Sequence, residues 1–322
     1  MRNSSGMGKK WNNGMMECWN VGMLEFGVIM RWYNSFKSPH PLILCLLLAL
    51  NLNLTSCYEP KEGCLDINAT NFAVDADNAC NNCCEYPILK LAFLHKLNNN
   101  SENNLNYNDS IYLDGAGNSF RLKNIQFFIS NVRLVRPDGT EVYPSDAIEV
   151  EITESGTKKD TILANNFAIV SRNIFNASAI GTFANGGSFS KIRFTLGLGD
   201  LSNQIIPTSL PAGHPLRTTG MYVNADSGYV FNSLEWYNGA SDTTTTLLKI
   251  ATESYLREVE LPLMPPEVSI LEGFDIRVTL RINYLTWFSD VNLKTDAPAT
   301  LATKFVNNAA NSIAVISVLP EE

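Results

Sequence analysis

Two side chains in this sequence have the chemistry of a soft metal site, and both fall within residues 213–235, GHPLRTTGMYVNADSGYVFNSLE. His214 offers an imidazole, which suits copper and zinc, and Met221, seven positions on, offers a soft thioether. Pro215 stiffens the chain beside the imidazole. Glycine and proline cut the same stretch into short steps, the pattern of a loop built to hold something. Donors are scarce, because the chain has three histidines and one of them, His40, falls in a leader. His95, Met221, Asp226 and Glu235 are the side chains that could converge with His214. A lone His beside Pro in a loop is more often a hydrogen-bonded structural residue, so both roles stand open for His214.

Other chemistries lack their residues. There is no Gly-x-Ser-x-Gly elbow, no Walker loop, no His-Glu-x-x-His helix and no Cys-x-x-Cys-His haem site. Gly197-Leu198-Gly199-Asp200 lacks the third glycine and the strand-to-helix setting of a dinucleotide fingerprint, and reads as a turn. The expected protein is not an enzyme.

Residues 30–56 read as a signal peptide. Arg31 and Lys37 supply the positive region and PLILCLLLAL, residues 41–50, the apolar core, too short to span a bilayer. Leu54-Thr55-Ser56-Cys57 resembles a bacterial lipobox, which predicts lipidation of Cys57 and a membrane partner through the lipid anchor. Residues 1–29 read as an upstream extension without leader logic. Glu59 and Glu62 behind the Cys resemble a surface-export signal, so the expected place is the outer membrane, facing the periplasm or the cell surface. Removing residues 1–56 takes away five of the 24 basic and two of the 32 acidic residues and leaves a net charge near −11. That surface repels phosphate backbones, so nucleic acid is not an expected partner.

Residues 57–87 form a Cys-rich linker module. After lipidation of Cys57, the thiols left in the mature chain are Cys64, Cys80, Cys83 and Cys84. An oxidising compartment predicts two disulfides with three possible pairings, of which Cys83 with Cys84 is disfavoured. Cys80-x-x-Cys83 has zinc spacing, but no second such pair follows. Asp66, Asn68, Asp75, Asp77 and Asn78 could bind calcium, although a solvated acidic turn explains them as well.

Residues 88–322 are dominated by period-two alternation. Ile276, Val278, Leu280 and Ile282 alternate with Asp275, Arg277, Thr279 and Arg281, and Ile192, Phe194 and Leu196 alternate with Lys191, Arg193 and Thr195. Further strands are expected over 89–94, 125–135, 148–152, 229–235 and 258–263, with a hairpin at Pro137-Asp138-Gly139. Thr243 to Thr246 reads as a low-complexity turn. Leu301, Phe305 and Ala309 stand at helical spacing near the C-terminus. The expected fold is all-β, an antiparallel β-sandwich or flattened barrel with a short C-terminal helix. Asp109-Ser110-Ile111, Asp160-Thr161-Ile162 and Asp242-Thr243-Thr244 resemble a bacterial O-glycosylation tripeptide.

Five pieces occur in order: FFISNVRLVRPDG at 127–139, FSKIRFTLGLG at 189–199, HPL at 214–216, GMY at 220–222 with SGYVF at 227–231 and Leu234-Glu235, and REVEL at 257–261. From about Leu89 onward this set resembles the MbnP-like copper-binding domain family. The resemblance implies an all-β fold, a copper site of histidines and an oxidised tryptophan, and a di-haem peroxidase-like partner that performs the oxidation. This chain departs from the pattern. Val223-Asn224-Ala225 stands where the family shows Trp-x-Trp, and Lys249-Ile250-Ala251 stands at its later His-Leu/Ile-Gly step. Trp236 follows Leu-Glu where glycine is usual. Of the implied copper ligands His214 is retained, with Met221 as a possible helper. The implied reading is a lipid-anchored, non-enzymatic envelope protein with an incomplete copper set. The alternative is a metal-free surface or structural protein on the same fold.

Overall fold

The computed structural model describes residues 58–98 and 103–321. Cys57, the leader and the upstream extension lie outside the described residues. No described helix is long and apolar enough to cross a membrane. Of the described residues, 58–63 and 75–79 make a small unit, in which Glu62–Gly63 pairs with Asn78–Ala79 in parallel. Residues 64–74 and 80–321 make the main unit. The Cys-rich module is therefore divided, and most of it belongs with the β-domain.

Twelve strands and one helix frame the main unit: β1 Ile88–Lys96, β2 Ser119–Val135, β3 Ala147–Glu154, β4 Thr157–Ala164, β5 Ala168–Ser171, β6 Ser178–Thr182, β7 Lys191–Leu196, β8 Asn232–Tyr237, β9 Thr245–Ile250, β10 Arg257–Pro262, β11 Asp275–Asn283, α1 Pro298–Asn311 and β12 Ile313–Glu321. The smaller sheet runs β6-β1-β11-β12 and the larger runs β9-β8-β2-β7-β10, with β5 also on β2. Their inner faces share one core. Leu89, Leu91, Val278 and Leu280 of the smaller sheet meet Phe127, Ile129, Ile192 and Phe194 of the larger. The all-β sandwich is as expected. Leu301, Phe305, Val306 and Ala309 bury one face of α1, and Phe305 packs on Trp236 at 6.4 Å and Phe288 at 5.2 Å.

Within the two sheets of the sandwich, one pairing departs from antiparallel. β1 and β11 pair in parallel, with Ile276 opposite Leu89 through Asn283 opposite Lys96. Parallel neighbours need a crossover, and here most of the domain lies between them in sequence. The expected strand over 229–235 is interrupted. Gly228–Tyr229 and Asn232–Tyr237 are separate strands, with Val230 and Phe231 buried between them.

Cys64 pairs with Cys84 and Cys80 with Cys83. The second bridge removes both thiolates that zinc would need at Cys80-x-x-Cys83. Asp66 accepts from the Asn68 N–H and from the Tyr86 hydroxyl, so its carboxylate serves a turn. Replacing Cys64 and Cys84 together by Ala is expected to cost about 3 kcal/mol, the chain-entropy value for a loop of this length. Urea melts of oxidised protein check it, and an unchanged midpoint contradicts it.

Candidate functional site

β2 carries the continuous apolar run FFI at 127–129 rather than an alternation. Successive strand residues point to opposite faces. Phe127 and Ile129 enter the sandwich core, while Phe128 enters a second cluster with Phe167, Leu198, Leu216, Met221, Tyr229, Val230 and Phe231. This second core is built mostly from loops, and residues 213–235 supply much of it.

The dispersed pieces of the sequence pattern meet around Phe128. Its N–H donates to the Phe231 carbonyl at 3.0 Å, and its carbonyl accepts from the Gly197 N–H at 2.9 Å. Ser130 donates its hydroxyl to the Gly197 carbonyl at 2.7 Å. Asn131 then sits in the left-handed region at φ 55° and donates its N–H to Asn166 Oδ1. Two residues of β2 are left facing Phe194, a bulge in the pairing with β7. Gly197, at φ 106°, lies so close to Phe231 and Leu256 that a Cβ would stand 2.4 Å from the Leu256 side chain. Gly228, at φ 67°, faces Asn203, whose Oδ1 accepts from the Tyr229 N–H at 2.8 Å. The Val230 N–H donates to the Met221 carbonyl, which ties the GMY step to the SGY step.

His214 opens the 3-10 turn Pro215–Arg217. The Leu216 N–H donates to its Nδ1 at 3.2 Å, so Nδ1 is the bare nitrogen. Nε2 then carries the proton and donates to Asn165 Oδ1 at 2.9 Å. The edge of the ring meets Phe167 at 5.9 Å. His214 is 9% exposed, and burial holds its pKa down at about 4, so the ring is neutral at pH 7. Both nitrogens are spent on structure. Binding a metal at either one would break the cap or the Asn165 bond.

Of the side chains that could have joined it, Met221, His95 and Glu235 are engaged elsewhere. Met221 is fully buried in the second core. His95 Nδ1 shares a 2.8 Å hydrogen bond with the Tyr284 hydroxyl, beneath residues of the sandwich core. Burial, with Arg172 nearby, lowers its pKa to about 4. Glu235 accepts from Lys123 and Thr245. Asp226 lies in an exposed turn closed by Asn224 Oδ1, which accepts from the N–H groups of Asp226 and Ser227. Val223 and Lys249 are exposed. Trp236 donates to Asn238 and packs in the first core, away from this loop cluster. Among the described residues no group of three or more His, Cys, Asp or Glu side chains is placed to hold a metal ion. The donor set does not fit copper.

Sequence reasoning missed Asn165, Asn166 and Asn203, the amides that hold this region together. A sequence signal exists for the first two, since Asn165-Asn166 precedes the apolar run FAIV.

Fold and site together define an all-β sandwich with a loop-built second core. The chain belongs to the MbnP family, whose model matches residues 87–305. Among solved structures, MbnP from Methylosinus trichosporium is similar at 12% identity, covering 64% of this chain and 78% of that one, with a TM-score of 0.33. No curated protein matches.

Proposed function

We propose that this chain is a lipid-anchored, non-enzymatic protein of the bacterial outer membrane, and that its MbnP-family domain acts as a metal-free binding or structural module. The observation that carries the reading is the double engagement of His214, by Leu216 at Nδ1 and by Asn165 at Nε2. The apolar leader and Leu54-Thr55-Ser56-Cys57 support export and anchoring. Acylation at Cys57 would keep the domain at the membrane surface, since two or more chains give stable anchoring.

Copper handling with a di-haem peroxidase-like partner is the second reading, favoured by membership of the family. It needs donors beyond the two histidines and one methionine discussed above.

Elemental analysis of the mature protein purified from envelope fractions tests the choice. The expected result is copper far below one equivalent, and acyl label on the wild type that Cys57→Ala abolishes. Stoichiometric copper contradicts the metal-free reading, and unaltered processing in Cys57→Ala contradicts the anchor.

A further inference from the structure

Three copies of one tripeptide, Asp-Ser/Thr followed by an apolar residue or Thr, have no part in the second core. Each copy reaches the surface through an exposed Asp, with Thr243 exposed and Ser110 and Thr161 half-buried. Ile111 is 57% and Ile162 70% exposed, and no packing accounts for either. Asp242, Thr243 and Thr244 are exposed together in the turn between β8 and β9. In the run of four threonines, Thr245 donates its hydroxyl to Glu235 at 2.7 Å and Thr246 to Asn238 at 3.1 Å. The hydroxyls of Thr243 and Thr244 have no hydrogen-bond partner among the described residues.

Arg121 brings two copies to one edge. Its Nη2 donates to the Asp242 carbonyl at 2.6 Å and its Nη1 to the Asn108 carbonyl, while the guanidinium lies 4.3 Å from the Tyr237 ring centroid. A rigid guanidinium fork thus fixes the backbone where both Asp109-Ser110-Ile111 and Asp242-Thr243-Thr244 begin. Next to them, β9 ends the larger sheet, with Leu247 52% exposed. An uncovered edge strand invites pairing with another chain.

We propose that Thr243 and Ser110 are acceptors for O-linked glycans, with Thr161 as a third site on the β3–β4 hairpin. The inference rests on the export proposed above. The co-reactant is a sugar carried on a diphosphate, delivered by an envelope transferase. The Thr243 Oγ1 forms a bond to the anomeric carbon, and the bond from that carbon to the phosphate oxygen breaks. The carrier's diphosphate leaves with the electron pair, and the hydroxyl proton passes to the transferase's base. A bulky, hydrated sugar at Thr243 would cover the end of β9 and keep the edge soluble.

The test compares the full chain from its native host with the same chain from a bacterium that lacks O-glycosylation, by intact mass and site-resolved fragmentation of each cell fraction. The expected result is sugar on Thr243 and Ser110 in the native envelope protein. Thr243→Val and Asp242→Asn should each lower occupancy at that position at least tenfold. An unmodified Thr243 in envelope protein overturns the inference and leaves the export reading standing. Protein confined to the cytoplasm overturns both. Sugar retained at Thr243 in Asp242→Asn overturns the tripeptide as the recognition element.

Discussion

Between pH 6.5 and pH 4 the folded protein is expected to lose roughly 3–6 kcal/mol of stability through His95 and His214 alone. Each ring titrates near 6.5 when unfolded and at about 4 when folded, because burial disfavours the imidazolium; Arg172 adds to this at His95. The unfolded chain therefore takes up protons first. The contribution is whole above pH 6.5, shrinks as pH falls, and is gone once both states are charged. Glu141 acts in a lower window. The Tyr143 hydroxyl and then Arg133 hold its pKa down at about 2, so its contribution is lost as pH falls from 4.5 toward 2. Urea midpoints measured against pH, for wild type and a His95→Gln/His214→Asn variant, separate the two windows. Asn at 214 can still accept from the Leu216 N–H, as a capping side chain does. The variant should show a flattened decline between pH 6.5 and 4, and an identical slope would contradict the assignment.

Gly228→Ala is expected to destabilise the domain by about 4 kcal/mol or more. At φ 67° an L side chain is strained by itself, and the added Cβ would lie 2.5 Å from both the Asn203 carbonyl oxygen and Asn203 Oδ1. Relieving that overlap moves the amide that holds the Tyr229 N–H, and Tyr229 is fully buried. Its hydroxyl already lacks a partner among the described residues, and burial raises its pKa. Thermal melts report the loss. Gly220→Ala serves as control, because nothing stands within 4 Å of its Cβ position, so its cost is the positive φ alone.

The alternating strands were legible in the sequence because each has one solvated face. Ile276 to Ile282 and Ile192 to Leu196 are buried at alternate positions. Elements without that contrast were not legible. β4, TKKDTILA, is exposed over most of its length, so its pattern carries no signal of a buried face. The turn that closes this hairpin, Ser155-Gly156 with φ values of 50° and 78°, was not read from the sequence. β9 was obscured by its threonines: Thr245 and Thr246, read as part of a turn, are its first two residues. β12 was missed altogether, although IAVISVLPE is rich in the β-branched residues that favour strands.

At the candidate site, residue types were readable but their roles were not. His214 with Pro215 and Leu216 looks the same in sequence whether the ring caps a turn or binds a metal. The deciding partners, the Leu216 N–H and Asn165, depend on the fold of the second core. Family membership predicts the scaffold and leaves the chemistry to the side chains present. Here His214 is engaged at both nitrogens, and no group of three or more His, Cys, Asp or Glu side chains is placed to hold a metal among the described residues.

Copper titration of the mature protein tests the central claim most directly. Copper(II) would be added in air and copper(I) under reductant against a competing chelator, for wild type and His214→Ala. The account predicts no one-to-one site of nanomolar affinity in either protein. His214→Ala should cost about 2–3 kcal/mol of stability, from the lost cap and the unpaired Asn165, without altering copper uptake. A stoichiometric nanomolar site in the wild type that His214→Ala abolishes would contradict the account.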